Sequence, residues 1–249
     1  MVLTALRGAV GFFSRLPVGH SETAWESFRR TPSVIPVVGY LLGALVALPL
    51  LLPLPDATVA LVFVADVYVL TGITHVDGVA DLGDALVVHG DAEDRRAVLK
   101  DTTVGTGALL AVVLVVAGLG LAGLSLAGLP LRVAVGVVVT AEVGAKAALA
   151  GLVCVGGAAH EGLGSALTTN AKPRDAIVVT GVALPSLLLT WPDVHLGVGV
   201  LVATTVIAGL TLRWAQTNLG GVSGDVLGAT NELARVAGLH AGVVAWTLS

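Results

Sequence analysis

Six apolar runs, at 37–54, 57–73, 107–129, 133–154, 177–191 and 194–212, leave this chain few ways to fold. In hydrocarbon a backbone N–H or C=O has no water to bond, so such runs must be helical. About 20 residues cross the ~30 Å of a bilayer core, and the 17 residues of 57–73 stand at the lower limit. Only 12% of the chain is charged, against roughly a quarter in soluble domains, and mean hydropathy is +0.94. The expectation is an all-α, polytopic transmembrane bundle of six to seven spans. The tail 238–249 would begin the seventh but is too short to cross alone. The whole chain, 1–249, reads as one integral-membrane catalytic domain.

Three short turns, at 53–56, 130–132 and 192–193, alternate with four long polar segments, at 1–35, 74–106, 155–176 and 213–236. The polar set carries Arg7, Arg15, Arg29, Arg30, Arg95, Arg96, Lys100, Lys172, Arg174, Arg213 and Arg235, and the turns carry only Arg132. Positive charge collects on the cytoplasmic side, so helical hairpins are expected to present polar catalytic loops at the cytoplasmic face of the cell membrane. In 1–35, Leu3, Leu6, Val10 and Phe13 recur at helical spacing, the pattern of an amphipathic helix lying on the bilayer. A net charge of -4 gives nucleic acid no electrostatic hold. The single cysteine, Cys154, excludes an internal disulfide and a cysteine-based zinc site.

The densest polar island is T-H-V-D-G-V-A-D-L-G-D at 74–84 with K-D-T-T-V-G-T at 100–106. Asp77, Asp81 and Asp84 are spaced i, i+4, i+7, which puts three carboxylates on one helix face. They repel one another unless a cation intervenes. Hard oxygen ligands suit Mg2+, which keeps coordination places for phosphate. His75 lies two residues ahead. The plainer alternative is a solvated acidic helix start opposing the helix dipole. Asp91, Glu93 and Asp94 read as a solvated turn. Arg95, Arg96 and Lys100, with Asp101, would form an anion-binding surface, although membrane topology alone accounts for any one of these cations.

In L-G-G-V-S-G-D-V-L-G-A-T-N-E at 219–232, Gly220, Gly221 and Gly224 allow close approach and exposed N–H groups around phosphate. Asp225 and Glu232, seven apart, share one helix face. Within the runs, Glu142 and Lys146 are expected to pair at i, i+4, and Asp66 has no local partner. Intramembrane charge is costly and usually functional, yet such a pair also serves simply to hold helices together. H-E-G-L-G at 160–164 lacks the second histidine of a zincin.

These pieces, in this order, resemble the cobalamin synthase family, the adenosylcobinamide-GDP ribazoletransferases. The resemblance covers nearly the whole chain: F-F-S-R-L-P at 12–17, P-V-V-G-Y-L-L-G at 36–43, the two parts of the island, E-G-L-G at 161–164 and G-G-V-S-G-D-V-L-G-A-T-N-E at 220–232. Many members carry a Ser-Arg pair where this chain has Glu142 and Lys146. The resemblance implies an enzyme of the last step of cobalamin biosynthesis. A hydroxyl of α-ribazole, or of its 5′-phosphate, attacks the corrinoid-side phosphorus of adenosylcobinamide-GDP, and GMP leaves. It also implies magnesium and a place in the cell membrane, and leaves the oligomeric state open. In that chemistry Asp77, Asp81, Asp84 and Asp225 would hold the metal, and His75 or Asp81 would accept the hydroxyl proton. Lys100, beside Asp101, would steady the leaving GMP, and Gly220, Gly221 and Gly224 would cradle phosphate. Two other functions compete. A CDP-alcohol phosphotransferase also gathers aspartates at the membrane face, but its pattern needs an arginine where Asp81 stands. An ion-coupled transporter would use Asp66, Glu142 and Lys146, yet most acids lie outside the apolar runs.

Overall fold

The computed structural model describes every residue except Met1, His20, Lys100 and Thr102. Among the described residues the chain is helical throughout, with no β-strand. The helices are α1 (Val2–Phe13), α2 (Glu22–Arg29), α3 (Val34–Val46), α4 (Asp56–Thr71), α5 (Thr74–Val87), α6 (Ala92–Val98), α7 (Thr106–Ala127), α8 (Leu131–Val155), α9 (Leu163–Thr168), α10 (Asp175–Ala183), α11 (Val194–Asn218) and α12 (Gly224–Thr247). Short 3-10 turns extend α3 through Leu48–Leu51 and α10 through Leu184–Thr190.

Four segments are long and apolar enough to cross a membrane: Val34–Leu51, Thr106–Ala127, Leu131–Val155 and Val194–Asn218. A fifth qualifies only if α4 and α5 count as one broken span, bent by 99°. The expected crossing at 57–73 is therefore shorter than it reads in sequence. Gly72, at φ +72°, ends α4 after 16 residues, about 24 Å of helix. The run 177–191 is likewise split, because Pro185 enters the 3-10 turn. The polar segment 213–236 is the main correction. Apart from 219–223 it is helix: α11 continues to Asn218 and α12 runs unbroken from Gly224. Glu232 and Arg235 are tolerated inside α12 because both are fully buried and paired.

The bundle is organised around α8, 89% of whose apolar window is buried, against 22% for α11. The G-x-x-x-G of α3 seats it there. A Cβ on Gly39 would lie 2.7 Å from Val143 Cα, and one on Gly43 2.8 Å from Val139 Cα. Small residues of this spacing let two membrane helices meet backbone to backbone. At the end of the short turns, Arg132 bonds Asp193 at 3.0 Å and ties the start of α8 to the start of α11.

The N-terminal segment forms two helices, not one. They pack on each other and on α3, and Phe12, Phe13, Trp25 and Phe28 make an aromatic cluster with ring centroids 4.8–5.8 Å apart. The buried face of α1 is Ala5, Ala9, Val10 and Phe13. Val10 and Phe13 of the expected stripe are inside, whereas Leu3 is 82% exposed.

Candidate active site

The carboxylates meet where α5, α7 and α12 converge, and glycines set the approach. A Cβ on Gly78 of α5 would lie 2.5 Å from the Asp225 carbonyl oxygen at the start of α12. One on Gly83 would lie 2.7 Å from the Gly107 carbonyl oxygen at the start of α7. Asp81 and Asp225 are half-buried and Asp77 is exposed. Burial, then the charges of Asp225, Asp77 and Asp84, push the Asp81 carboxyl up to about 6. α5 leaves α4 at 99° and is not itself one of the four segments long and apolar enough to cross. Asp225 accepts a hydrogen bond from the Ser223 hydroxyl at 3.2 Å. Asp84 is committed differently: its Oδ2 accepts the Gly105 N–H at 2.7 Å and its Oδ1 the Ala108 N–H at 2.9 Å. It thereby caps the first turn of α7, a favourable place for a carboxylate. Among the described residues no three acidic, histidine or cysteine side chains sit close enough to hold a metal as they stand.

The glycine loop before α12 packs against the segment before α9. Gly220 and Gly221 have φ of +79° and +156°, and a Cβ on Gly221 would lie 2.5 Å from the Gly157 carbonyl oxygen. The Gly221 N–H donates to Ala215 O at 3.2 Å and the Val222 N–H to Gly157 O at 2.7 Å. Ala159 N–H returns a bond to Val222 O at 3.1 Å. One of the N–H groups expected to face phosphate, that of Gly221, is thus spent on protein. Gly224 is the first residue of α12, packed on Leu163. Arg96 reaches this loop from α6 and donates to Leu219 O at 3.1 Å, the carbonyl that ends α11. Arg95 turns back onto Gly90 O at 2.7 Å and Val88 O at 3.2 Å. Asp101 Oδ1 accepts the Thr103 N–H at 3.0 Å. Lys100 lies outside the described residues.

His75 faces the other way, into the bundle. It is buried, and its Nδ1 lies 3.3 Å from Asn231 Nδ2 and 3.7 Å from Glu232 Oε1. The Asn231 amide can be oriented chemically. Its Oδ1 lies 2.6 Å from Lys146 Nζ, which only donates, so Nδ2 turns to His75 and to Glu232 at 3.1 Å. Arg235 joins Glu142 and Glu232 in the same network, and Phe13 covers it, 5.1 Å from Lys146 Nζ. The expected Glu142–Lys146 pair is present at 3.8 Å, but each has a closer partner in α12. Asp225 and Glu232 do not act as a pair: one lies at the helix start, the other is sealed in this network. Asp66 Oδ2 is buried without a hydrogen bond among the described residues. Sequence reasoning missed Arg235 and Asn231 as members. The signal was present in N-E-L-A-R at 231–235, since two intramembrane charges in α8 call for partners on a neighbouring helix.

Comparison with known proteins bears on these residues together. The profile of the Cobalamin-5-phosphate synthase family matches residues 5–243. A protein of Halorubrum lacusprofundi named adenosylcobinamide-GDP ribazoletransferase is 58% identical, over 99% of each chain. One of the same name from Haloquadratum walsbyi is 48% identical over 100% of each. One from Methanocella arvoryzae is 33% identical over 98% of this chain and 97% of its own. No solved structure matches.

Proposed function

The chain belongs to the Cobalamin-5-phosphate synthase family, and from that premise we propose that the converging carboxylates catalyse phosphoryl transfer to a ribazole acceptor in the last step of cobalamin synthesis. Adenosylcobinamide-GDP is the donor. The acceptor hydroxyl forms a new P–O bond at the corrinoid-side phosphorus, the pyrophosphate bridge breaks, and GMP departs. One observation carries this assignment: Asp81 stands among three other carboxylates with its proton affinity raised toward neutrality. The repulsion there needs a cationic partner.

Mg2+ fits that donor set, hard oxygens on two helices, and Asp77, Asp81 and Asp225 are the residues that would hold it. When bound it would offset charge gathering on the phosphoryl oxygens. Asp84 keeps the start of α7 in place against them. His75 is turned into the bundle, so an aspartate of this group takes the hydroxyl proton, within the reach that general bases need. Arg96, over the glycine loop, is placed to steady the leaving GMP; Lys100, expected in that role, lies outside the described residues.

The membrane disposition belongs to the same proposal: a multi-pass protein of the cell membrane with six to seven crossings. The 24 residues of α12, about 36 Å long, have the length for the seventh, with Glu232 and Arg235 paired inside the bundle, although α12 is not among the four segments apolar enough to cross by composition. The cationic excess at the end where α4, α8 and α11 finish supports a cytoplasmic active face.

The test is GMP release from adenosylcobinamide-GDP and α-ribazole or its 5′-phosphate by the purified protein, with magnesium and with chelator. Release that chelator stops is expected. No release with either acceptor would remove the assignment, and release that persists in chelator would remove the metal.

A further inference from the structure

Beside the N-terminus of α5 lies a cavity of about 850 Å³ between the α1–α2 pair and the end of α4, within the usual range for a small-molecule site. Its walls combine an aromatic side with a charged side in which two arginines outnumber one carboxylate, Glu22. Phe12 and Trp25, ring centroids 5.8 Å apart, form an aromatic side. Arg7 and Arg15 form a cationic side, and among the described residues neither makes an ion pair. Both arginines are placed. Arg7 Nε donates to Val18 O at 2.8 Å, and its guanidinium covers Gly19, where a Cβ would lie 3.0 Å from Nη2. The Arg15 backbone N–H bonds Leu70 O at 2.7 Å, and its guanidinium covers Gly72, where a Cβ would lie 2.7 Å from Nε. Both glycines have positive φ, +73° and +72°, so the chain bends to make room beneath each cation.

Two guanidinium groups held at the mouth of a cavity suit a phosphate monoester. An adjoining aromatic wall suits a flat base. Thr74 belongs to the cavity wall and begins α5. Asp77 follows three residues later, less than one helical turn, so the cavity borders the start of the helix that carries Asp77 and Asp81.

We propose that this cavity seats the phosphorylated acceptor nucleoside, its base against Phe12 and Trp25 and its 5′-phosphate on Arg7 and Arg15. It rests on the proposed function for the acceptor's identity, and adds that Arg7 and Arg15 determine the preference for phosphate over hydroxyl.

Calorimetry on the full chain in nanodiscs tests this with α-ribazole 5′-phosphate and α-ribazole as probes. The wild type is expected to bind the phosphorylated form at least about tenfold more tightly, as a charge-assisted contact implies. Arg15→Ala should bring that ratio close to one, and Arg7→Ala should reduce it. Arg15→Lys should keep part of it, since a point charge replaces the fork. A ratio is immune to partial misfolding, which lowers both affinities together. A wild type without preference would overturn the proposal, as would an Arg15→Ala protein with the wild-type ratio. Phosphatidylglycerol discs that abolish the preference while phosphatidylcholine discs keep it would mark a lipid-headgroup site and overturn it too. GMP release is scored separately. If the ratio behaves as expected without GMP release, the catalytic assignment fails and the cavity stands. If GMP is released and the ratio does not move, only the cavity assignment fails.

Discussion

The two acids of α12, Asp225 and Glu232, belong to two groups of acids that are opposites. Glu232 meets Glu142, Arg235 and Lys146 in a fully buried set with two negative and two positive charges. Asp225, two turns earlier, lies with Asp77 and Asp84 around Asp81, and among the described residues no lysine or arginine is paired to any of the four. The first group is closed: every charge has its counter-charge and the desolvation it costs is repaid only while all members are present. The second is open: burial first, and then the surrounding carboxylates, let Asp81 hold its proton to about 6. Balance marks a structural use of charge, and imbalance marks a place awaiting a ligand.

The contrast breaks most visibly at Arg235. Arg235→Met would leave two carboxylates buried without their shared cation. It should cost about 3–5 kcal/mol, read as a large drop in the unfolding midpoint in detergent. A near-wild-type midpoint would mean that the closed group is not needed for folding. Asp81→Asn tests the other side. It should reduce GMP release by about 10²–10³-fold, the scale of a lost electrostatic stabiliser, while the unfolding midpoint holds or rises. Full activity would detach the open group from catalysis.

A smaller effect follows from the sign of the Asp81 shift. The folded state holds a proton that the unfolded chain has released, so this group's stabilising contribution is present at low pH. It is lost as pH rises from the ordinary carboxylate value, 3.8, through about 6. Magnesium competes with that proton. It should therefore raise the unfolding midpoint more at pH 7.5 than at pH 5, and Asp81→Asn should erase most of the difference. Equal shifts at both pH values would show that the metal does not bind there. The smallest effect is expected at Asp84, which belongs to the open group by position and to α7 by hydrogen bonding. Asp84→Ala should cost about 1 kcal/mol, the value of a lost cap, and should weaken magnesium binding less than Asp77→Ala does. A larger loss of magnesium binding than in Asp77→Ala would return Asp84 to the metal.

Much of this was legible in the sequence because hydropathy and spacing are local. The runs that became α7 and α8 needed no partner to declare themselves, and i, i+4, i+7 suffices to put Asp77, Asp81 and Asp84 on one side of α5. What stayed hidden depends on neighbours. In one dimension Arg235 counts only as one more cation of a polar segment, and only its meeting with Glu142 of α8 shows that the helix there is buried. That the helix at 57–73 is shorter than its hydropathy suggests rests on one glycine, Gly72, whose positive φ no hydropathy average registers. Asp84 was grouped with the metal ligands because spacing cannot show that the start of α7 would claim both its oxygens.

At Gly78 and Gly221 main chain rests directly on main chain, with no side chain between to yield. Such joints behave as hard stops and not as springs. Two of the helices that carry the reacting groups therefore have little freedom to slide past each other, and any adjustment to an incoming donor or acceptor falls to rotation of the aspartate and arginine side chains. An enzyme built this way would meet its substrates with fixed walls and movable fingers.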